Sequence, residues 1–279
     1  MPHTTINGAR LWYEERGSGE PILLHHGYTA SRVNWMPVAE RLQDRYRVIL
    51  MECRGTGDSE HTEDGYTLEQ YAADVIGVLD HLGIERVTYA GHSMGGGIGY
   101  VLAIEYPERL ERLVLMAAVP ADGLAEGDPV ARAERRAERK RGDREVLIHR
   151  YRAGRFRADV QTDEWFEDRV DHLLGVSDGH YDGSGDAMRA LAVGDRLGEI
   201  ATPTLVIAGS IDALLPSNLR DFRRLPNAAL EVFSRAGHEV AVHEPAGVAD
   251  AITAFMEHGV VTSQQLAERV ATAEAAATR

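Results

Sequence analysis

Ser93, Asp212 and His238 are the residues from which a reaction can be assembled. A serine hydroxyl is a poor nucleophile at neutral pH. It needs an imidazole to take its proton and a carboxylate to orient that imidazole. Ser93 stands in Gly91-His92-Ser93-Met94-Gly95, between a β-prone run at 86–90 and a helical run at 96–106 with Ile98, Val101, Leu102 and Ile104 as its apolar positions. A G-x-S-x-G pentapeptide is informative when it joins a strand to a helix, because the turn then presents the serine at its tip. Without partners it would read as a glycine-rich turn with an incidental serine. The partners are found downstream: the apolar run 204–208 leads into Gly209-Ser210-Ile211-Asp212, and 230–233 leads into Arg235-Ala236-Gly237-His238. All three residues thus fall just past the carboxyl ends of predicted strands, where open α/β sheets place their sites.

Three further motifs carry a family likeness. His26-Gly27-Tyr28 follows the apolar run Ile22-Leu23-Leu24. Glu52-Cys53-Arg54-Gly55-Thr56-Gly57-Asp58-Ser59 resembles a D-x-R-G-x-G-x-S turn with glutamate in place of the usual aspartate, and Gly237-His238 is followed by Glu244-Pro245. Together with the serine pentapeptide they make the chain, from about residue 5 to residue 260, resemble the α/β-hydrolase fold family, in its serine-nucleophile esterase and lactonase branch. The resemblance implies Ser93 as nucleophile, Asp212 as acid and His238 as base, with the backbone N–H groups of Tyr28 and Met94 as the oxyanion hole. Asp122, beyond the strand run 113–117, is a rival for the acid; Asp212 is favoured because it directly follows a strong strand. Asp58 and Asp74 are expected in a turn and on a helix surface.

The positioning elements follow from periodicity. Runs 9–15, 21–25 and 47–52 read as strands, 35–42 as a helix, and Thr67-Leu68-Glu69-Gln70 as the start of another with Tyr71, Val75, Val78, Leu79 and Leu82 on its apolar face. Strands separated by helices predict an α/β fold with a mainly parallel central sheet flanked by helices. Between 120 and 198 strand-like runs vanish; charged helical segments at 130–141 and 144–153 take over, and Gly175, Gly179, Gly183 and Gly185 are expected to break the helical pattern. The expected organisation is a hydrolase core at 1–119 and 199–261, a helical cap insertion at 120–198, and a helical tail at 262–279. The tail could dock on a second copy in a homodimer, although termini are commonly loose.

Composition narrows the function classes. The 279 residues carry a net charge of −14, which argues against nucleic acid as a partner because phosphate contacts need clustered positive charge. One cysteine, Cys53, rules out an internal disulfide. The polar start lacks a basic and apolar leader, and no apolar run reaches the roughly 18 residues of a membrane span, so a cytoplasmic protein without membrane attachment is expected. No histidine pair has convincing metal-ligand spacing; no metal and no cofactor are expected.

Among the other histidines, His25, His26 and His243 are expected in structural roles, His92 at the edge of the pocket, and His149, His172 and His180 on the surface of the insertion. Apolar pocket candidates are Trp35, Trp165, Leu214 and Val240, together with Tyr28 and Met94. Within the resembled family, epoxide hydrolases and haloalkane dehalogenases use aspartate where this chain has Ser93, which leaves acyl chemistry on a small-molecule ester or lactone. Carbon–carbon hydrolysis of a diketone is the alternative, with a lyase or cofactor-free peroxidase-like activity behind it. A non-catalytic ligand receptor is the reading from another class.

Overall fold

In a computed structural model of the protein, residues 3–277 are described. The first half runs β1 (His3–Ile6), β2 (Ala9–Arg16), β3 (Pro21–His25), α1 (Met36–Leu42), β4 (Arg47–Met51), α2 (Leu68–His81), β5 (Val87–His92), α3 (Met94–Glu105) and β6 (Leu110–Met116). Four helices follow without a strand: α4 (Pro129–Arg141), α5 (Arg144–Ala153), α6 (Asp163–Gly175) and, after a π-helical turn at His180–Ser184, α7 (Gly185–Ala190). Then come β7 (Thr204–Gly209), α8 (Leu215–Phe222), β8 (Ala228–Phe233), α9 (Val240–His243), α10 (Pro245–His258) and α11 (Ser263–Ala277). The final residues of the expected tail, 278–279, lie outside the described residues.

The eight strands form one sheet in the order β1-β2-β4-β3-β5-β6-β7-β8. β1 and β2 pair antiparallel, as do β2 and β4, and every other pairing is parallel. Central strands covered on both faces must be apolar throughout rather than alternating. β5 and β7 are accordingly buried at every position. One face packs on α2 and α3 through Leu23, Ile49, Tyr89 and Leu113; the other packs on α1 and α10 through Ile22, Leu24, Val114 and Ile207. Burying each such aliphatic side chain contributes about 1.5–3 kcal/mol.

Local chemistry sets the element ends. Thr67 caps α2 by accepting the Gln70 N–H at 3.1 Å. Gln70 does not complete a capping box; its amide donates instead to Asp74 Oδ1 at 3.0 Å. Asp74 is therefore not a surface residue as predicted. It is buried and accepts Arg54 Nε and Nη2, both at 2.8 Å. The longer Glu52 in the family turn is accommodated by burial: its Oε2 accepts the Asp58 N–H at 2.7 Å, and its Oε1 pairs with Arg32 Nη1 at 2.9 Å.

The glycines expected to interrupt the insertion lie in or beside helix. Gly183 and Gly185 are within helical segments and Gly179 immediately precedes one. Gly175 does end α6. At Gly179 and Gly183 the missing side chain serves packing, since a Cβ there would come within 2.3 or 2.8 Å of the Tyr66 side chain. Leu147, Ile148, Val170 and Leu173 give α5 and α6 a small core of their own. Among the described residues, no helix is long and apolar enough to cross a membrane.

Candidate active site

β5 ends at His92 and α3 begins at Met94, so Ser93 alone turns the chain. It does so at φ 55° and ψ −111°, a conformation that costs a non-glycine residue about 1–3 kcal/mol. Surrounding bonds hold it there. Its N–H donates to Met116 O at 2.9 Å, and its carbonyl accepts from Gly96, Gly97 and Val119 at 2.9, 3.2 and 3.0 Å. The turn can be this tight because a Cβ on Gly91 would meet Gly95 O at 2.1 Å, and one on Gly95 would meet His25 O at 2.7 Å.

Parallel pairing brings the other two residues to the same edge of the sheet. Met116 is opposite His92 on one side and Ile207 on the other, and Gly209 is opposite Phe233, so the loops after β5, β7 and β8 emerge together. His238 Nδ1 lies 2.9 Å from Asp212 Oδ2, and its Nε2 lies 2.9 Å from Ser93 Oγ. A carboxylate only accepts, so Nδ1 carries the proton and Nε2 is left to accept from the serine hydroxyl. Asp212 Oδ1 is occupied by the Leu214 N–H at 3.0 Å, which fixes the carboxylate plane. Burial depresses the His238 pKa, but the hydrogen bond and charge of Asp212 outweigh it and the imidazole sits above its usual 6.5. Asp122 is elsewhere: exposed, it takes Arg224 Nη1 on both oxygens at 2.9 and 2.8 Å.

The loop after β3 abuts Ser93, since a Cβ on Gly27 would lie 3.0 Å from Ser93 Cβ. Burial lowers the pKa of His26 to about 4, so the ring is neutral. It accepts the Cys53 N–H on Nε2 at 3.1 Å and donates from Nδ1 to Gly27 O at 2.8 Å. His25 bonds Tyr89 Oη at 2.6 Å and contacts Cys53 Sγ at 3.1 Å. The Ala30 N–H donates back to Gly27 O at 3.3 Å, closing a turn with Tyr28 and Thr29 at its centre. Thr29 has φ 52°, where a β-branched residue is a true outlier. Met94 opens α3, so its N–H lies in the first turn, which lacks intrahelical acceptors.

Ser93, His238 and Asp212 open onto a cavity of about 720 Å³. Val119 and Leu214 supply apolar wall from the sheet side, and Leu124, Leu147, Leu173 and Met188 supply it from the segment between β6 and β7. Of the predicted pocket residues, Leu214 and Tyr28 line this cavity; four others are corrected. The Met94 side chain is fully buried in the core on the α2 and α3 face of the sheet. Trp35 is fully buried and supports the loop from beneath, donating from Nε1 to His25 O at 2.9 Å. Val240 is fully buried in the core against α10. Trp165 packs edge-on against Phe166, outside the cavity wall.

Three residues at the site escaped the sequence reading. His180 is not at the surface but fully buried beneath Tyr28. Arg169, from α6, reaches Thr29. Glu239 lines the cavity beside His238 and accepts Asn34 Nδ2 at 2.6 Å. Only the adjacency of Glu239 to His238 offered any sequence signal. Among the described residues, no group of three His, Cys, Asp or Glu side chains is placed to hold a metal ion.

Comparison with known proteins agrees with this architecture. Residues 20–245 match the family model described as the alpha/beta hydrolase fold, and the chain belongs to that family. It is 30% identical over 258 residues to a non-heme haloperoxidase of Rhodococcus erythropolis, covering 85% of this chain and 93% of that one. It is 31% identical over 255 residues to a 2-hydroxy-6-oxononadienedioate/2-hydroxy-6-oxononatrienedioate hydrolase of Paraburkholderia xenovorans, covering 82% and 84%. A thermophilic esterase from Thermogutta terrifontis superposes with a TM-score of 0.78 at 28% identity, over 92% of this chain and 97% of the esterase.

Proposed function

We propose that this protein is a serine hydrolase that cleaves a carboxylic ester or lactone of a small to medium organic molecule through an acyl-enzyme. The observation that carries the reading is the continuous relay Asp212 Oδ2, His238, Ser93 Oγ, with both contacts at 2.9 Å and the serine held at the tip of a strained turn facing an apolar cavity. Ser93 Oγ attacks the carbonyl carbon as His238 Nε2 takes its proton. The resulting oxyanion is received by the N–H groups of Tyr28 and Met94, the latter at the positive end of α3. Collapse expels the alcohol, which takes the proton from His238. Water attacks the acyl-enzyme by the same route in reverse, giving the acid and free Ser93.

Likeness to an esterase supports the reading, while likeness to an oxononadienedioate hydrolase keeps cleavage of a carbon–carbon bond in a diketone as the second. A fluorophosphonate probe followed by an ester, lactone and diketone panel tests both. Stoichiometric labelling at Ser93 with ester or lactone turnover is expected. Labelling with turnover of the diketone alone would transfer the assignment to the second reading, and folded protein that neither labels nor turns over would make it a receptor.

A further inference from the structure

The turn that carries Tyr28 is made in a way its sequence disfavours. In the Gly27–Ala30 turn the third position takes positive φ, a place that ordinarily belongs to glycine or asparagine, yet the residue there is Thr29. Such a conformation persists only where surrounding structure over-determines it. The groups that surround it come from the segment between β6 and β7. Arg169 Nη1 donates to Thr29 O at 2.8 Å, and Nη2 donates to Thr29 Oγ1 at 3.1 Å. The Thr29 N–H is directed at His180 Nε2 at 3.5 Å. Tyr28 is held as well: its hydroxyl donates to Tyr181 O at 2.5 Å, and its ring stacks on His180 with centroids 5.7 Å apart and planes 22° apart.

These supports are themselves anchored. Burial lowers the pKa of His180 to about 3, so the ring is neutral. With Nε2 facing an N–H donor, the proton is on Nδ1, which donates to Tyr71 Oη of α2 at 2.8 Å. Tyr71 bonds Ser184 Oγ at 2.6 Å, and the Ser177 N–H donates to Gly55 O at 2.8 Å. The π-helical turn is thus fastened to the sheet domain, and through it the Tyr28–Thr29 segment is fixed from above.

We propose that Tyr181, Arg169 and His180 hold this segment in its strained conformation and so aim the Tyr28 amide at the oxyanion, which makes Tyr28 (through its hydroxyl), Arg169 and His180 positioning residues. The proposal rests on the hydrolase reading for the role of the Tyr28 amide. Its consequence is that the helical segment over the serine acts on the chemical step as well as on substrate choice, because its withdrawal would release the turn to relax.

Tyr28→Phe is the sharpest test, since it removes one hydroxyl and leaves the ring and the amide in place. Arg169 is less clean because it also faces Glu239 at 3.8 Å. The expected result is a kcat about tenfold lower with KM little changed, short of the about 10²–10³ that deleting an oxyanion donor costs. Binding of a boronic acid that mimics the tetrahedral state should weaken by the same factor, and amide exchange at 27–31 should quicken. Thr29→Gly supplies the cross-check, because glycine takes positive φ without strain. In that background Tyr28→Phe should cost under about threefold, the non-additivity expected of coupled neighbours. An unchanged kcat, an effect on KM alone, or equal losses in both backgrounds would overturn the proposal. Should the wild-type protein hydrolyse no ester and resist labelling at Ser93, the hydrolase reading falls. The exchange rate still decides the holding role, and unaltered exchange at 27–31 in Tyr28→Phe would end it.

Discussion

His92 Nε2 donates to the main-chain oxygen of His238 at 2.9 Å, so the residue before Ser93 holds the loop that carries His238. Burial keeps the pKa of His92 below its usual value, which leaves a neutral ring with its proton on the donating nitrogen. His92→Ala should lower kcat by about 2- to 12-fold, the worth of one hydrogen bond of ~0.5–1.5 kcal/mol expressed in the transition state. His92→Gln, whose amide can donate to the same carbonyl, should recover part of the loss. Steady-state kinetics on one ester decide it: a kcat unaffected by His92→Ala means the loop is held by other contacts.

Asp212 raises the His238 pKa, and this has a sign in the pH profile. The proposed mechanism needs neutral His238, so kcat/KM should fall as pH drops through a value above 6.5. In Asp212→Asn the charge is gone and burial dominates. The acid limb should then move to lower pH while kcat falls by up to about 10⁴-fold. Asp122→Asn, which loses only a surface pair with Arg224, should change neither. Profiles that respond to Asp122 and not to Asp212 would relocate the acid.

The sequence revealed what depends on chain direction and periodicity. Ser93, Asp212 and His238 each follow an apolar strand run, and parallel pairing alone brings those ends together. What it concealed depends on side-chain orientation across distant segments. Trp35 and Trp165 were indistinguishable by type, yet one is fully buried under the loop after β3 and the other packs on Phe166. Gly179 and Gly183 read as breakers because nothing local announces that the Tyr66 ring occupies the space of their side chains. His180 and Arg169 reach Thr29 from positions more than a hundred residues away, beyond any local pattern.

The buried Arg54–Asp74 pair should dominate stability on the α2 side of the sheet. Asp74 takes two bonds from Arg54 and one each from Asn7 and Gln70. Removing the carboxylate leaves the guanidinium buried without its counter-charge, and breaking such a pair from one side costs about 3–5 kcal/mol. Asp74→Ala should therefore lower the unfolding free energy by that amount, moving the urea midpoint down by the loss divided by an unchanged m-value. A loss below about 1 kcal/mol would mean the pair behaves like a surface ion pair.

Acyl-chain preference should be set by Leu124 rather than by Trp165. Leu124 lines the cavity and is only half buried, so a larger side chain there can project into the space over Ser93 without overpacking a core. Leu124→Trp should leave turnover of an acetate ester nearly intact and depress kcat/KM for longer acyl chains, by about tenfold or more for each methylene excluded. Trp165→Ala should leave the chain-length profile unchanged, because its ring rests against Phe166 outside the cavity wall. The measurement is kcat/KM across p-nitrophenyl esters from acetate to decanoate for both variants, with folding checked by circular dichroism. A profile that moves with Trp165 and not with Leu124 would place the acyl chain in a different channel from the 720 Å³ cavity.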